Sequence, residues 1–198
     1  MTQLRHYWED EEYFIKTVRT QHLYGYEYFG NSPRMVVVPQ TERCQFHFLE
    51  FQEDNIGGSL AGRNGSGKTE TIKDLCKTMG RRHIAIDFLG MAQPQQSFIT
   101  VLRGVAALGA FCCMENVNTL NVQTLAIIAQ QLCIIHNAKI ELSSLKDVKE
   151  VMFEGTTLLV SPGCKFVPTL KGDPDSGYNG QGCSDRSVRA LLRPVAFL

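Results

Sequence analysis

The chain has 198 residues, 43% apolar and 20% charged, and its 20 basic side chains are balanced by 20 acidic ones. That length supports one sizeable domain with a core of its own, or one and a small appendage, and the neutral balance argues against a broad electrostatic surface for nucleic acid while leaving room for a local patch. No apolar run reaches bilayer-spanning length and the opening residues are polar and acidic, so neither a membrane anchor nor a signal peptide is expected.

In chain order, Met35-Val36-Val37-Val38 reads as a short buried strand stopped by Pro39. Residues 45–51, apolar at 46, 48, 49 and 51, fit a strand and a short helix equally. Ile72, Leu75, Cys76 and Met79 recur at i, i+3, i+4 and i+7, an amphipathic helix closed by Gly80. Residues 83–89 read as a strand. Phe98, Val101, Leu102, Val105 and Leu108 trace a second helical stripe ending at Gly109, and residues 110–114 form a fully apolar run suited to a central parallel strand. Val122, Leu125, Ala126, Ala129, Leu132 and Ile135 make a third helix. Residues 151–153 and 156–160 around Glu154-Gly155 read as a hairpin, and residues 166–170 as a further strand. The stretch 171–185 is a glycine-rich loop, 187–192 a short helix, and 195–198 a last strand. Strands alternating with helices predict an α/β fold, a parallel sheet with helices on both faces. The seven cysteines include no Cys-x-x-Cys pair and most lie in apolar segments, so they read as reduced core thiols, and the five scattered histidines as structural residues rather than metal ligands.

One motif carries chemistry. Gly62-Arg63-Asn64-Gly65-Ser66-Gly67-Lys68-Thr69 matches the P-loop pattern in full. Its glycines let backbone N–H groups turn inward around a phosphate, Lys68 can reach the β and γ oxygens, and the Thr69 hydroxyl suits Mg²⁺. The helix that follows adds its positive dipole end. A P-loop ATPase also needs an acidic strand tip, and the candidate is Ala110-Phe111-Cys112-Cys113-Met114-Glu115-Asn116. Two carboxylates normally stand there, one for the metal and one to activate water. Here Glu115 is followed by an amide, which cannot take a proton at neutral pH, and loss of a general base typically costs about 10²–10⁴ in rate.

From Tyr24 onward the chain resembles the first AAA+ module of dynein heavy chains, the hydrolytic ATP-binding one. The resemblance rests on Tyr24-Gly25-Tyr26-Glu27-Tyr28-Phe29-Gly30-Asn31-Ser32-Pro33-Arg34, similar to that module's lead-in segment on the adenine side, and on Thr41-Glu42-Arg43-Cys44. It continues through Gly67-Lys68-Thr69-Glu70-Thr71-Ile72-Lys73-Asp74-Leu75, Gly109-Ala110, Ala129-Gln130-Gln131, the hairpin Phe153-Glu154-Gly155-Thr156 and the closing Arg193-Pro194-Val195-Ala196. It implies a P-loop AAA+ large subdomain over residues 24–198 with an inserted hairpin, the small helical subdomain lying beyond the chain. Residues 1–23 resemble the end of the preceding linker. It further implies ATP or ADP with Mg²⁺ as cofactors. Gly62, Asn64, Gly65, Ser66, Gly67, Lys68, Thr69 and Glu70, with Asn31 and Pro33, would hold the nucleotide. Thr69 and Glu115 would hold the metal, and Arg193 matches the place of an arginine finger.

The departures matter as much. The family has Asp-Glu at the acidic strand tip, and Asn118 sets the register that puts Asn116 at the base position. The sensor asparagine position holds Asp175, the one substitute base the pattern offers, after an insertion at residues 171–174. Pro168 falls inside the preceding strand, where a central strand loses a ladder hydrogen bond. The resemblance therefore implies a divergent, ATP-binding dynein-like module, a fragment or short isoform, weak in hydrolysis. The competing readings are a working motor ATPase with another base and a non-catalytic structural piece of a ciliary assembly. Implied partners are the remaining AAA+ modules and dynein intermediate and light chains, with microtubules reached only indirectly. The implied location is cytoplasmic and cytoskeletal, in the axoneme of a cilium or flagellum.

Overall fold

The computed structural model describes residues 4–53, 57–88, 94–117, 120–145, 150–153, 155–161, 163–171 and 192–197. The chain opens with an antiparallel meander, β1 (Arg5–Glu9), β2 (Glu12–Lys16) and β3 (Gln21–Leu23), which the sequence reading missed. The β1–β2 connection is a two-residue turn with both central residues, Asp10 and Glu11, at positive φ, the twist that two-residue hairpins require. Ile15 of β2 is fully buried and joins the core of the larger sheet.

Residues 35–38 are not a strand. Val36 is 80% exposed, and the run leads into α1 (Pro39–Glu53). Pro39 sits where a helix tolerates proline best, and Thr41 reaches back to accept from the Val38 N–H at 3.0 Å and donate to its carbonyl at 2.9 Å. The ambiguous segment 45–51 is thus helical. The strand that leads into the P-loop is instead β4 (Gly57–Gly62), whose Gly-Gly-Ser-Leu-Ala-Gly composition hides it from hydrophobic periodicity. Its small residues answer to crowding. A Cβ on Gly58 would stand 2.5 Å from the Phe48 ring, and one on Gly62 only 2.0 Å from the Phe197 carbonyl oxygen.

The remaining elements fall close to expectation: α2 (Lys68–Thr78), β5 (His83–Asp87), α3 (Pro94–Leu108), β6 (Phe111–Glu115), α4 (Val122–Leu145), the hairpin β7 (Glu150–Phe153) and β8 (Thr156–Leu159), β9 (Lys165–Lys171) and β10 (Leu192–Phe197). Gly80 and Gly109 close their helices at positive φ, as the sequence predicts. The last strand begins at Leu192, three residues earlier than expected. The expected helix at 187–192 and the loop at 172–185 otherwise lie outside the described residues.

Five strands form one parallel sheet in the order β10-β4-β9-β6-β5. Helices cover both faces, as alternation of strands and helices predicts. β6 shows the division: Phe111 packs with Leu49, Ile72 and Leu75 of α1 and α2, while Cys112 and Met114 pack with Leu102, Val105 and Ile128 of α3 and α4. Each such buried aliphatic side chain contributes about 1.5–3 kcal/mol relative to exposure. Pro168 does lie inside the central strand β9. Pairing with β6 runs up to Pro168 and pairing with β4 starts at Thr169, so the proline marks the handover between ladders. The register brings Gly62, Lys171 and Phe197 level at one edge, with Asp87 and Glu115 level beside each other at the same edge.

Gly62→Ala is expected to destabilise the chain by about 2–3 kcal/mol without any nucleotide present, because the added methyl meets backbone rather than a flexible side chain. Urea unfolding measures it. A change below about 0.5 kcal/mol would contradict the β4–β10 packing.

Candidate functional site

At that edge β4 ends in the P-loop. Gly65 and Gly67 take φ of 74° and 92°, and a Cβ on either would meet nothing within 4 Å. Glycine is needed there for backbone handedness, whereas at Gly62 it is needed for space. Gly67 is the N-cap of α2 and brings no side chain to the first turn, whose N–H groups are those an anion takes. The Ser66 hydroxyl donates to the Arg63 carbonyl at 2.9 Å. Lys68 is buried, and its ammonium donates to the carbonyls of Gly62 at 2.9 Å and Arg63 at 2.6 Å and lies 3.4 Å from the Ser66 hydroxyl. The lysine is thus held over the loop by the loop's own backbone. Asn64 is exposed at the loop tip, and Glu70, exposed on the first turn, pairs with Lys73 at 3.6 Å.

The Thr69 hydroxyl hydrogen-bonds the Cys113 thiol, which burial and the neighbouring Glu115 push up to about 12. Glu115 lies two residues further along β6, on the same face as Cys113 and half-exposed at the strand tip. The fold therefore brings the two expected metal-side groups, Thr69 and Glu115, to either side of one thiol. A hydroxyl and a carboxylate are the oxygen donors that suit Mg²⁺, and two such protein ligands are the number it commonly accepts beside phosphate and water.

Asn116 is buried and takes the left-handed backbone conformation, φ 59°, which asparagine tolerates better than most residues. That turn sends its amide toward β5, where Nδ2 donates to Asp87 Oδ1 at 2.6 Å. Asp87 ends β5 and is the register partner of Glu115. Sequence reasoning missed Asp87. The signal was available, since it falls near the end of the strand read over residues 83–89, which runs parallel to the acidic one. Asp175 and Asn118 lie outside the described residues.

The lead-in segment is clamped along α2. Arg34 grips the buried Asp74 through Nε–Oδ1 at 2.6 Å and Nη2–Oδ2 at 3.3 Å and donates to the Thr78 hydroxyl at 2.7 Å. The Met35 N–H donates to Asp74 Oδ1 at 3.2 Å, and Lys77 donates to the Pro33 carbonyl at 2.9 Å. Earlier in the segment, Gly25 and Glu27 donate to the carbonyls of Met79 and Gly80. A Cβ on Gly80 would stand 2.4 Å from the Tyr24 ring, so the contact needs glycine. Asn31, exposed, and Pro33 are thereby fixed beside the helix that carries the P-loop. Burial raises the Asp74 carboxyl, but the Arg34 guanidinium, the Met35 N–H and Lys77 outweigh it and hold the group below its ordinary range. Arg193 is exposed on the edge strand β10, level with Gly58 and four residues from the Phe197–Gly62 pair. It therefore stands roughly 13 Å along the strand from this chain's own P-loop.

Residues 24–198 match the family model described as the hydrolytic ATP binding site of the dynein motor region. The whole chain is 34% identical to dynein axonemal heavy chain 3 of Mus musculus and 33% identical to dynein axonemal heavy chain 1 of Mus musculus, covering 5% and 4% of those proteins. Against dynein axonemal heavy chain 6 of Homo sapiens, 99% of the chain aligns at 34% identity and covers 4% of that protein. The chain thus spans about one twentieth of the length of the relatives it matches.

Because the Asp74 carboxyl is lowered in the folded state, the stability from its pair with Arg34 is present above the ordinary carboxylate range. It is lost as the pH falls through the lowered folded value. Asp74→Asn is expected to reduce stability at neutral pH, by about 1–3 kcal/mol, and to flatten the acid limb of melting temperature against pH. An acid limb unchanged from the parent would refute the clamp.

Proposed function

The chain belongs to the dynein heavy-chain family, and from that membership we propose that it is an AAA+ module that binds ATP or ADP with Mg²⁺ and turns ATP over slowly. The observation that carries the proposal is the pairing of a complete phosphate cradle with an amide, Asn116, at the strand tip where a base is needed. Gly65, Gly67 and the first turn of α2 give backbone N–H groups to phosphate, Lys68 gives charge, and Thr69 with Glu115 would hold the metal. Bound Mg²⁺ would neutralise charge on the β and γ oxygens. Asn116 can orient a water but cannot deprotonate it. Arg193, remote from this chain's own P-loop, would serve a nucleotide held by a neighbouring module.

The same reading puts the protein in axonemal dynein assemblies, with microtubule-based movement as the setting. Its relatives carry the axonemal name, and the chain matches their ATP-binding region. Its partners would then be further AAA+ modules of a heavy chain and dynein intermediate and light chains, with microtubules contacted only through other parts of the assembly. A second reading, a working ATPase, is favoured by one contact. The Asp87 carboxylate, 2.6 Å from the Asn116 amide, is the described carboxylate placed to act through it.

Calorimetric titration of Mg-ATP should give saturable heat for the parent and at least a tenfold weaker site for Lys68→Ala. No heat for the parent would sink the nucleotide reading. Phosphate release under single turnover should be slow in the parent and rise by about 10²-fold or more in Asn116→Glu. No rise would remove Asn116 as the limiting residue. Asp87→Asn separates the second reading: it abolishes residual turnover if Asp87 activates water through Asn116, and leaves it within about twofold if turnover is simply uncatalysed at that point.

A further inference from the structure

The N-terminal meander ends on an uncovered strand. β1 pairs with β2 in an unbroken five-residue register and with no other described strand, and all five of its residues are exposed. It carries none of the devices that blunt an edge: no proline, no lysine and no bulge. Glu9 and Glu12 close the two-residue turn, so the backbone groups of Arg5, Tyr7 and Glu9 are spent on β2, and those of His6 and Trp8 point to the free side. The charges along β1 do not suit the strand it lies on. Arg5 stands opposite Lys16 and Glu9 opposite Glu12, like charge against like at both ends of the hairpin. The Lys16 ammonium offsets part of this by crossing the Tyr7 ring, 5.3 Å from its centroid, to pair with Glu9. On the other face, Trp8 stands on the side of the buried Ile15 and is itself 65% exposed.

Reversed end for end, the same strand is its own complement. We propose that β1 pairs antiparallel with β1 of a second copy of this chain, about a twofold axis at Tyr7. Arg5 of each copy then faces Glu9 of the other, so both ends of the strand gain the opposite charge that β2 does not place across from them. His6 of each copy stands opposite Trp8 of the other, and the two exchange N–H···O=C bonds through the backbone groups that β2 leaves free. Each indole gains an imidazole to pack against, and Tyr7 meets Tyr7. A shift of two residues in either direction keeps the hydrogen-bonding pattern but takes Arg5 off Glu9, so charge selects the register. The contact is isologous, and its symmetry counts each charge pair twice. His6 and Trp8 lie on the face that turns toward the domain and are nonetheless exposed, so the domain leaves room beneath β1 for a neighbouring strand. One short ladder makes a small interface, of the weak and reversible class. It draws on none of the residues of the P-loop edge and does not depend on nucleotide binding there.

Self-association of the 198-residue chain is followed by sedimentation velocity from roughly 10 μM to 1 mM, the range in which so small an interface associates. The parent should form a reversible dimer that weakens as salt rises. Arg5→Glu sets carboxylate against carboxylate and should weaken the dimer roughly tenfold or more. Arg5→Glu/Glu9→Arg restores opposite charges and should return it to within about threefold of the parent. The double exchange also suits β2, since it places a carboxylate opposite Lys16 and a guanidinium opposite Glu12. Tyr7→Cys should join two copies by a disulfide under mild oxidation, because facing residues of a non-hydrogen-bonded pair stand about 4.5 Å apart at Cα, within disulfide reach. Arg5→Cys, whose own mate lies four residues along the ladder, should link no faster than the parent. A parent that stays monomeric over the whole range, a dimer indifferent to Arg5→Glu, a double exchange that recovers nothing, or a Tyr7→Cys link no faster than that of Arg5→Cys would each overturn the pairing. The substituted positions are exposed, and the parent's association together with the Tyr7→Cys link decides the matter even where a charge variant fails to fold.

Discussion

Gly62 has no room for a side chain, because the Phe197 carbonyl of β10 stands where a Cβ would go. That single close approach sets how β4 and β10 lie together, and with the β4–β9 register it levels three strand ends at one edge. The P-loop begins at that level point. Gly65 and Gly67 then turn the backbone through left-handed conformations so that α2 starts directly over the sheet edge. The direction of α2 in turn decides where Asp74 and Lys77 project, and these hold the lead-in segment through Arg34 and Pro33. The phosphate side and the lead-in side of the site are both consequences of a strand that can carry no side chain at its end.

The other half of the edge is built from β5 and β6, and there the polar groups are shifted by one strand. β6 ends in Glu115 and an asparagine held left-handed, while a carboxylate stands on β5 at Asp87 and accepts from that asparagine. The edge keeps two carboxylates, but they stand on neighbouring strands rather than in sequence. The amide between them is fixed in orientation by its bond to Asp87, so it presents a set dipole to whatever lies above it. The opposite edge differs in kind. There Arg81 and Lys139 donate to backbone carbonyls, of Leu23 and Cys164. One parallel sheet thus carries a glycine-shaped backbone loop at one edge and basic side chains at the other.

Much of this was legible in the residues, and the limits have physical causes. The helices from Ile72 to Met79 and from Phe98 to Leu108 announced themselves by spacing, and Ala110 to Met114 by unbroken apolarity, because those patterns are burial written along the chain. β4 was silent because its residues answer to close backbone approach at Gly58 and Gly62, which removes the side chains that periodicity counts. The valines at 36–38 misled because strand propensity reports what fits a sheet, whereas this run follows Met35, tied to α2 at Asp74, and pairs with none of the described strands. The N-terminal meander was hidden by exposure, since all five residues of β1 face solvent and leave no apolar alternation. Within the site, the P-loop was readable because its chemistry is local in sequence. The Asp87–Asn116 contact joins positions 29 residues apart and depends on a φ value that composition does not reveal.

Binding and turnover are separable in this architecture because they draw on different parts of the chain. The cradle is made of backbone: two glycine conformations, the open first turn of a helix, and a lysine held by the carbonyls of Gly62 and Arg63. A change in a side chain on β6 leaves all of these in place. A base at such a strand tip is a single side chain, and an amide there has no proton affinity to offer at neutral pH. A loss of 10²–10⁴ in rate corresponds to roughly 3–5.5 kcal/mol in the barrier, yet nothing in the fold need register it. The buried Asn116 amide, locked onto Asp87, is a satisfied polar contact, so its place at the strand tip carries no desolvation penalty.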